Sequence, residues 1–242
     1  MTPQVAVVVG LAAVLIGVSK GGLSVGGPVL TILVSLALPA KVAIGVLLPL
    51  LIVGDVFAVA AHWGRWDRDL LVQLLPGGLV GVGMASVGLA GMSERSLQLI
   101  IAVVTLSFVV LRLVEAWLAQ LRLRPGAVPG TMAGVASGVA STVAHVGGPP
   151  IAIYLLAIRT PSTVYVATSA LFFAVINWLK VPGYLAAGLF DPALLIRTAP
   201  AALLIPPSVV IGRWAVHRLS QRSFDRMVLA SLLVGAVLLV LE

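Results

Sequence analysis

From Val42 to Trp63 the chain carries a single charged residue, Asp55, in an otherwise almost wholly apolar run. A bilayer core of about 30 Å takes roughly 20 apolar residues of helix to cross, so this run is a membrane-spanning candidate. It is one of a series. Apolar segments recur at 4–19, 28–38, 42–63, 70–91, 96–119, 128–144, 149–158, 162–181, 192–214 and 224–241. Those at 42–63, 70–91, 96–119, 162–181, 192–214 and 224–241 are long enough to span. Charged residues make up 10% of the 242 positions and hydrophobic ones 60%, against about 25% and roughly 45–50% in a soluble domain. So little polar surface cannot cover a soluble domain, which excludes a soluble enzyme and a disordered chain. The expected fold class is an all-α polytopic membrane protein, with the lipid bilayer as its surroundings.

The net charge of +7 is spread between apolar runs. It therefore reads as loop charge on the cytoplasmic side rather than as a nucleic-acid surface. There is no Cys, and so no thiolate nucleophile, disulfide or Cys metal site. The first run, starting at Val5, lacks a charged flank and an A-x-A cleavage site and is expected to be retained.

The four short segments come in two pairs, each split by glycines: Gly21-Gly22-Leu23-Ser24-Val25-Gly26-Gly27-Pro28, and Ser141 to Pro150 with His145-Val146-Gly147-Gly148-Pro149-Pro150. The pairs belong to a longer series of matches in constant order. Gly17 falls on Gly138, Gly26-Gly27-Pro28 on Gly147-Gly148-Pro149, and Asp55 on Asn177. Gly64 to Asp67 then falls on Gly188 to Asp191, Pro76 on Pro200, Gly88 on Gly212, and Ser93 to Leu97 on Ser220 to Phe224. The spacing drifts only by small insertions. This predicts a tandem duplication of about four plus four crossings: a first transmembrane repeat at 1–120, a joint at 121–127 and a second repeat at 128–242. Each half contains one Gly-rich broken or re-entrant segment. If each split pair acts as one broken crossing, the halves run parallel. The loops around Arg95 and Arg222, with Lys41 and Arg159, are then all expected inside.

Glycine-rich backbone at membrane depth survives only where it is buried in protein or lines a polar cavity. Short Gly/Pro-interrupted segments at matching places in two repeats point to a transporter's substrate site. Pro28 and Pro149 suit the start of a new helix, and a helix N-terminus attracts anions. Close helix packing is the competing use of such glycines, and Gly17/Gly21, Gly22/Gly26, Gly77/Gly81 and Gly134/Gly138 have the right spacing for it. Lys20 sits in the first break and can neutralise an anion, or snorkel to the interface. His145 sits in the second, at the place of Ser24, as an oxyanion donor or proton carrier. Asp55, in mid-segment, is either a coupling-proton site or one half of an ion pair with a base such as Lys20. The expected anion-binding set is thus Lys20, Gly21, Gly22, Ser24, Gly26, Gly27, His145, Gly147, Gly148 and Asn177, with Asp55 and His145 as proton-coupling candidates. No catalytic set, metal site or cofactor motif is evident. Gly17-Val18-Ser19-Lys20-Gly21 matches a nucleophile elbow, but no strand precedes it. An intramembrane enzyme using Ser19 with Lys20 as base is the alternative from a different class. His62, Trp63 and Trp66 read as an interfacial anchor, and His217 as loop surface.

With Gly-Val-Ser-Lys-Gly-Gly-Leu-Ser-Val-Gly-Gly-Pro-Val-Leu early and His-Val-Gly-Gly-Pro-Pro-Ile in the second half, the whole chain resembles the TauE/SafE-type sulfite exporter family, also called the toluene-sulfonate uptake permease family. The resemblance implies a four-plus-four repeat and movement of sulfite or organosulfur anions across the bacterial inner membrane. Onto this chain it maps the signatures Gly21, Gly22, Gly26, Gly27 and Pro28, then Gly147, Gly148, Pro149 and Pro150. The implied function is secondary transport of a small sulfur-containing anion, with sulfite export first and organosulfonate uptake as alternative. Monomer and homodimer stay open at this level.

Overall fold

The computed structural model describes residues 2–21, 27–35, 37–118 and 126–216. These are helical: α1 (Pro3–Lys20), α2 (Gly27–Ser35), α3 (Ala40–Ala61), α4 (Arg68–Gly91), α5 (Glu94–Leu118), α6 (Ala127–Ala144), α7 (Gly148–Ala157), α8 (Ser162–Ala186), α9 (Pro192–Thr198), a 3-10 segment (Ala199–Leu204) and α10 (Ile205–Val216). Among the described residues, six stretches are long and apolar enough to cross a membrane: Pro3–Lys20, Ala40–Ala61, Arg68–Gly91, Ala127–Ala144, Ser162–Ala186 and Pro192–Gly212. The chain is a multi-pass membrane protein. Two of these six, α1 and α6, differ from the sequence expectation. The glycines within them do not shorten them, and each is an unbroken helix of 18 residues. The segment at 224–241 lies outside the described residues.

Glycines set the helix pairing. In α4 and α6, a Cβ on Gly77 would run into the Thr131 carbonyl, one on Gly81 into that of Val135, and one on Gly134 into that of Leu74. The two backbones thus touch along a stripe of small residues, where dispersion replaces a hydrophobic driving force that lipid cannot supply. Gly130 meets Gln73, while Gly138 meets Gly78 and Val82, so the two helices run parallel. The same device joins α1 to α10: Gly10 faces Leu204, Gly17 faces Ile205 and Ser208, and Gly212 faces Val18, again in parallel. Packing is thus the second use of these glycines, as their spacing allowed.

The directions of the other helices follow from their contacts. Gly45, early in α3, lies on Leu189, just past the end of α8. Asp55, later in α3, bonds Asn177 within α8. These two helices therefore run antiparallel. The short helix α7 returns beside α6: the Ser137 hydroxyl donates to the Gly147 carbonyl (2.7 Å) and the Gly126 N–H to the Tyr154 hydroxyl (3.4 Å). The second split pair is a hairpin and not one broken crossing. The expectation of parallel halves rested on counting this pair as one crossing, and α6 and α7 do not form one. Lys41, at the start of α3, and Arg159, after α7, lie at opposite ends of the helices rather than on one side.

Two turns share their geometry. Gly64 and Gly188 both adopt positive φ (72° and 65°), a conformation glycine takes without a Cβ clash. Three residues on, the Asp67 carboxylate accepts from Asp69 and Leu70 at the start of α4, and that of Asp191 from Leu194 at the start of α9. Trp63 and Trp66 pack edge to face, with Trp63 73% exposed, as suits an interfacial anchor.

Candidate functional site: a buried polar chain between two hairpins

Five polar side chains meet where α1, α3, α8 and the α6–α7 turn converge. Lys20, in the last turn of α1, forms an ion pair with one oxygen of Asp55. The other Asp55 oxygen accepts from the Asn177 amide (2.6 Å). The Asn177 carbonyl oxygen accepts from the Lys180 side-chain nitrogen (2.7 Å), one helical turn further along α8. Lys180 also reaches His145 Nδ1 (3.3 Å), and His145 Nε2 lies 3.0 Å from the Ile44 carbonyl. A carbonyl can only accept, so Nε2 carries the imidazole proton and Nδ1 accepts from Lys180. This fixes the neutral tautomer of His145.

Local structure explains each position. Gly54, beside Asp55, lets Ile16 and Lys20 approach, since a Cβ there would lie 2.9 Å from Ile16 and 3.2 Å from Lys20. His145 closes α6 with a left-handed backbone (φ 55°); its N–H and that of Val146 return to the Ser141 and Ala140 carbonyls. This reversal swings the imidazole inward and sends α7 back. Thr31 of α2 donates to the Ala144 carbonyl (2.6 Å) and so holds the first split segment against the tip of the second. The network is dry: Lys180 is 0% exposed, Asp55 3%, Asn177 4% and His145 7%. Two lysine side chains share one carboxylate, and ions so buried are costly unless paired or put to use.

Of the expected site residues, Lys20, Asp55, His145 and Asn177 are brought together. Gly21 ends α1, with its N–H bonded to Gly17. Gly27 opens α2. Gly147 packs against Ser137, Ser141 and Phe173, while open space surrounds the Cα of Gly148. Gly22, Ser24 and Gly26 lie outside the described residues. At the start of α7 only Gly148 and Ile151 keep backbone N–H groups, because Pro149 and Pro150 have none. Lys20, the base of the elbow reading of Ser19, pairs with Asp55.

Lys180 is the member the sequence reading missed. Pro182 reads as a helix stop, which places Lys180 at the end of its segment, where it would snorkel. The helix instead continues through Pro182 to Ala186 and carries Lys180 inside. The signal was there in the apolar stretch after Pro182. The chain has three lysines, and two of them are in this network.

A family model described as Sulfite exporter TauE/SafE matches residues 6–239, nearly the whole chain. The chain belongs to the TauE/SafE sulfite exporter family. Membership makes it a membrane transporter of sulfur-containing anions, in agreement with the multi-pass fold. No curated protein and no solved structure matches it.

Proposed function

We propose that this TauE/SafE chain is a secondary transporter of a small sulfur oxyanion in the bacterial inner membrane, with sulfite export as its first function. The observation that carries this reading is the pair of lysines, Lys20 and Lys180, gathered around a single carboxylate beside the α6–α7 turn. An oxyanion competes with Asp55 for Lys20, whose side chain is more exposed than that of Asp55 (17% against 4%). The starts of α2 and α7, with Gly27, Gly147 and Gly148, supply further attraction through their helix dipoles. Asp55 and His145 are the groups that the sequence nominates for a coupling proton. Organosulfonate uptake uses the same chemistry and differs in the room left for an organic tail.

The halves 1–120 and 128–242 are read as an inverted duplication. Supporting this are the antiparallel α3 and α8, which meet at the matching residues Asp55 and Asn177, and the reciprocal pairs α1–α10 and α4–α6. A two-fold axis in the membrane plane then passes by the Asp55–Asn177 contact, where a site open alternately to either side belongs.

A thermal-shift screen of the purified full chain against sulfite, sulfate, thiosulfate, sulfoacetate and taurine tests the assignment. A ligand that binds only the folded state raises the melting temperature by mass action. Sulfite is expected to give the largest rise. Lys20→Met should weaken it at least about tenfold, since a charge at 4 Å and an effective dielectric of about 20 is worth roughly 4 kcal/mol before desolvation. Sulfite binding that Lys20→Met leaves unchanged would move the anion site away from the hairpin tips.

A further inference from the structure

Lys180 is a buried titratable group for which anion binding by Lys20 and the helix starts has no use. Its hydrogen bonds have a count. It donates to the Asn177 carbonyl oxygen at 2.7 Å and to His145 Nδ1 at 3.3 Å, and both acceptors are neutral. A neutral amine has two N–H bonds and an ammonium three. Among the described residues two acceptors are present, so the arrangement satisfies an amine and leaves the third proton of an ammonium without a partner. The Asp55 carboxylate is not among its partners: one oxygen is paired with Lys20 and the other accepts from Asn177.

The surrounding groups reinforce this count. From α1 comes the ammonium of Lys20, from α3 the carboxylate of Asp55, and from the α6–α7 turn the neutral imidazole of His145. On α8 itself the Tyr184 hydroxyl is spent on the Thr142 carbonyl (2.6 Å). α4 packs along α8, but its titratable residues Arg68 and Asp69 lie in its first turn, at the end of α8 marked by the contact of Asp67 N–H with Thr168. A proton on Asp55 would break its ion pair with Lys20. One on His145 Nδ1 would point at the lone pair of the Lys180 amine, the stronger base, to which it passes. Lys180 alone can accept a proton without losing a bond it already makes, provided that an acceptor arrives with the proton.

We infer that Lys180 is the coupling residue: it is a neutral amine in the empty transporter and becomes an ammonium when an oxyanion binds, the anion accepting its third N–H. One proton and one negative charge then enter together. This deepens the anion-transport reading and rests on it.

Calorimetric titration of the detergent-solubilised full chain with thiosulfate and with methanesulfonate tests this, because neither anion titrates between about pH 6 and 9. Repeating each titration in two buffers of different ionisation heat counts the protons taken up. The parent should take up close to one proton per anion at alkaline pH, and its affinity should fall by up to about tenfold per pH unit there. Lys180→Arg keeps a charge at every pH, and Lys180→Gln keeps two N–H donors but cannot gain a third. Both should melt cooperatively and bind with no proton uptake. Binding by the parent without proton uptake overturns the inference but leaves the transport reading intact. Variants that retain the parental proton count overturn it too, and assign the proton to Asp55 or His145. Failure of the parent to bind either anion removes the transport reading, and the inference with it.

Discussion

At the scale of the residue, Asp55 is the internal rival of the transported anion. Replacing it by Asn keeps the shape, imitates Asn177, and leaves Lys20 without a carboxylate. Breaking a buried ion pair costs about 3–5 kcal/mol, and the partial exposure of Lys20 puts this case at the low end. The Asp55→Asn variant should therefore melt several degrees lower without ligand, and gain more from sulfite than the parent does, because sulfite then has no competitor. A smaller sulfite-induced rise in the variant than in the parent would show that the carboxylate helps to bind the anion. Lys20, Asp55, His145 and Asn177 were legible because a polar side chain inside an apolar run stands out, and because Asp55 and Asn177 match between halves. Lys180 was not. Its membrane depth depends on whether the helix survives Pro182, and that is decided by packing against α3 and α4, which no local pattern records.

At the scale of the element, the two parallel glycine-faced pairs hold the site's walls. On α6, a side chain at Gly134 meets the Leu74 carbonyl and the Gly78 nitrogen, neither of which can rotate away. Gly134→Leu should separate α4 from α6 and cost about 1–3 kcal/mol or more, as overpacking does. Gly83, on the same α4, has open space around it, so Gly83→Leu should leave the melting temperature within about a degree. Equal loss in both variants would mean that lost backbone freedom, and not contact, sets the effect. The glycine spacing was visible in the sequence, and so was its double meaning. Only the partners were hidden: a G-x-x-x-G stripe specifies a close approach without saying to which helix.

At the scale of the whole molecule, the sequence leaves open the relative direction of the two proposed halves, for a reason of parity. Each half folds alike whichever way it faces, so the repeat reads the same for parallel and inverted arrangements. What differs is the number of crossings per half. A split pair that crosses makes this number even and the halves parallel. One that turns back on itself, as α6 and α7 do, makes it odd, and the second half then enters from the other side. Most of the arginines follow the second case, with Arg95 and Arg197 at the opposite end. Arg65, Arg68 and Arg159 lie at one end of the helices. In sequence, Arg122 and Arg124 fall between α5 and α6, and Arg218, Arg222 and Arg226 follow α10. By the positive-inside rule that end is cytoplasmic. The absence of native cysteine makes the test clean. Ser93→Cys, before α5, and Ser162→Cys, at the start of α8, are conservative changes at exposed positions. In intact cells a membrane-impermeant maleimide should label the first, and should label the second only after the membrane is opened. Labelling of both from the same face would restore parallel halves and take the two-fold axis, with its shared site at Asp55 and Asn177, out of the membrane plane.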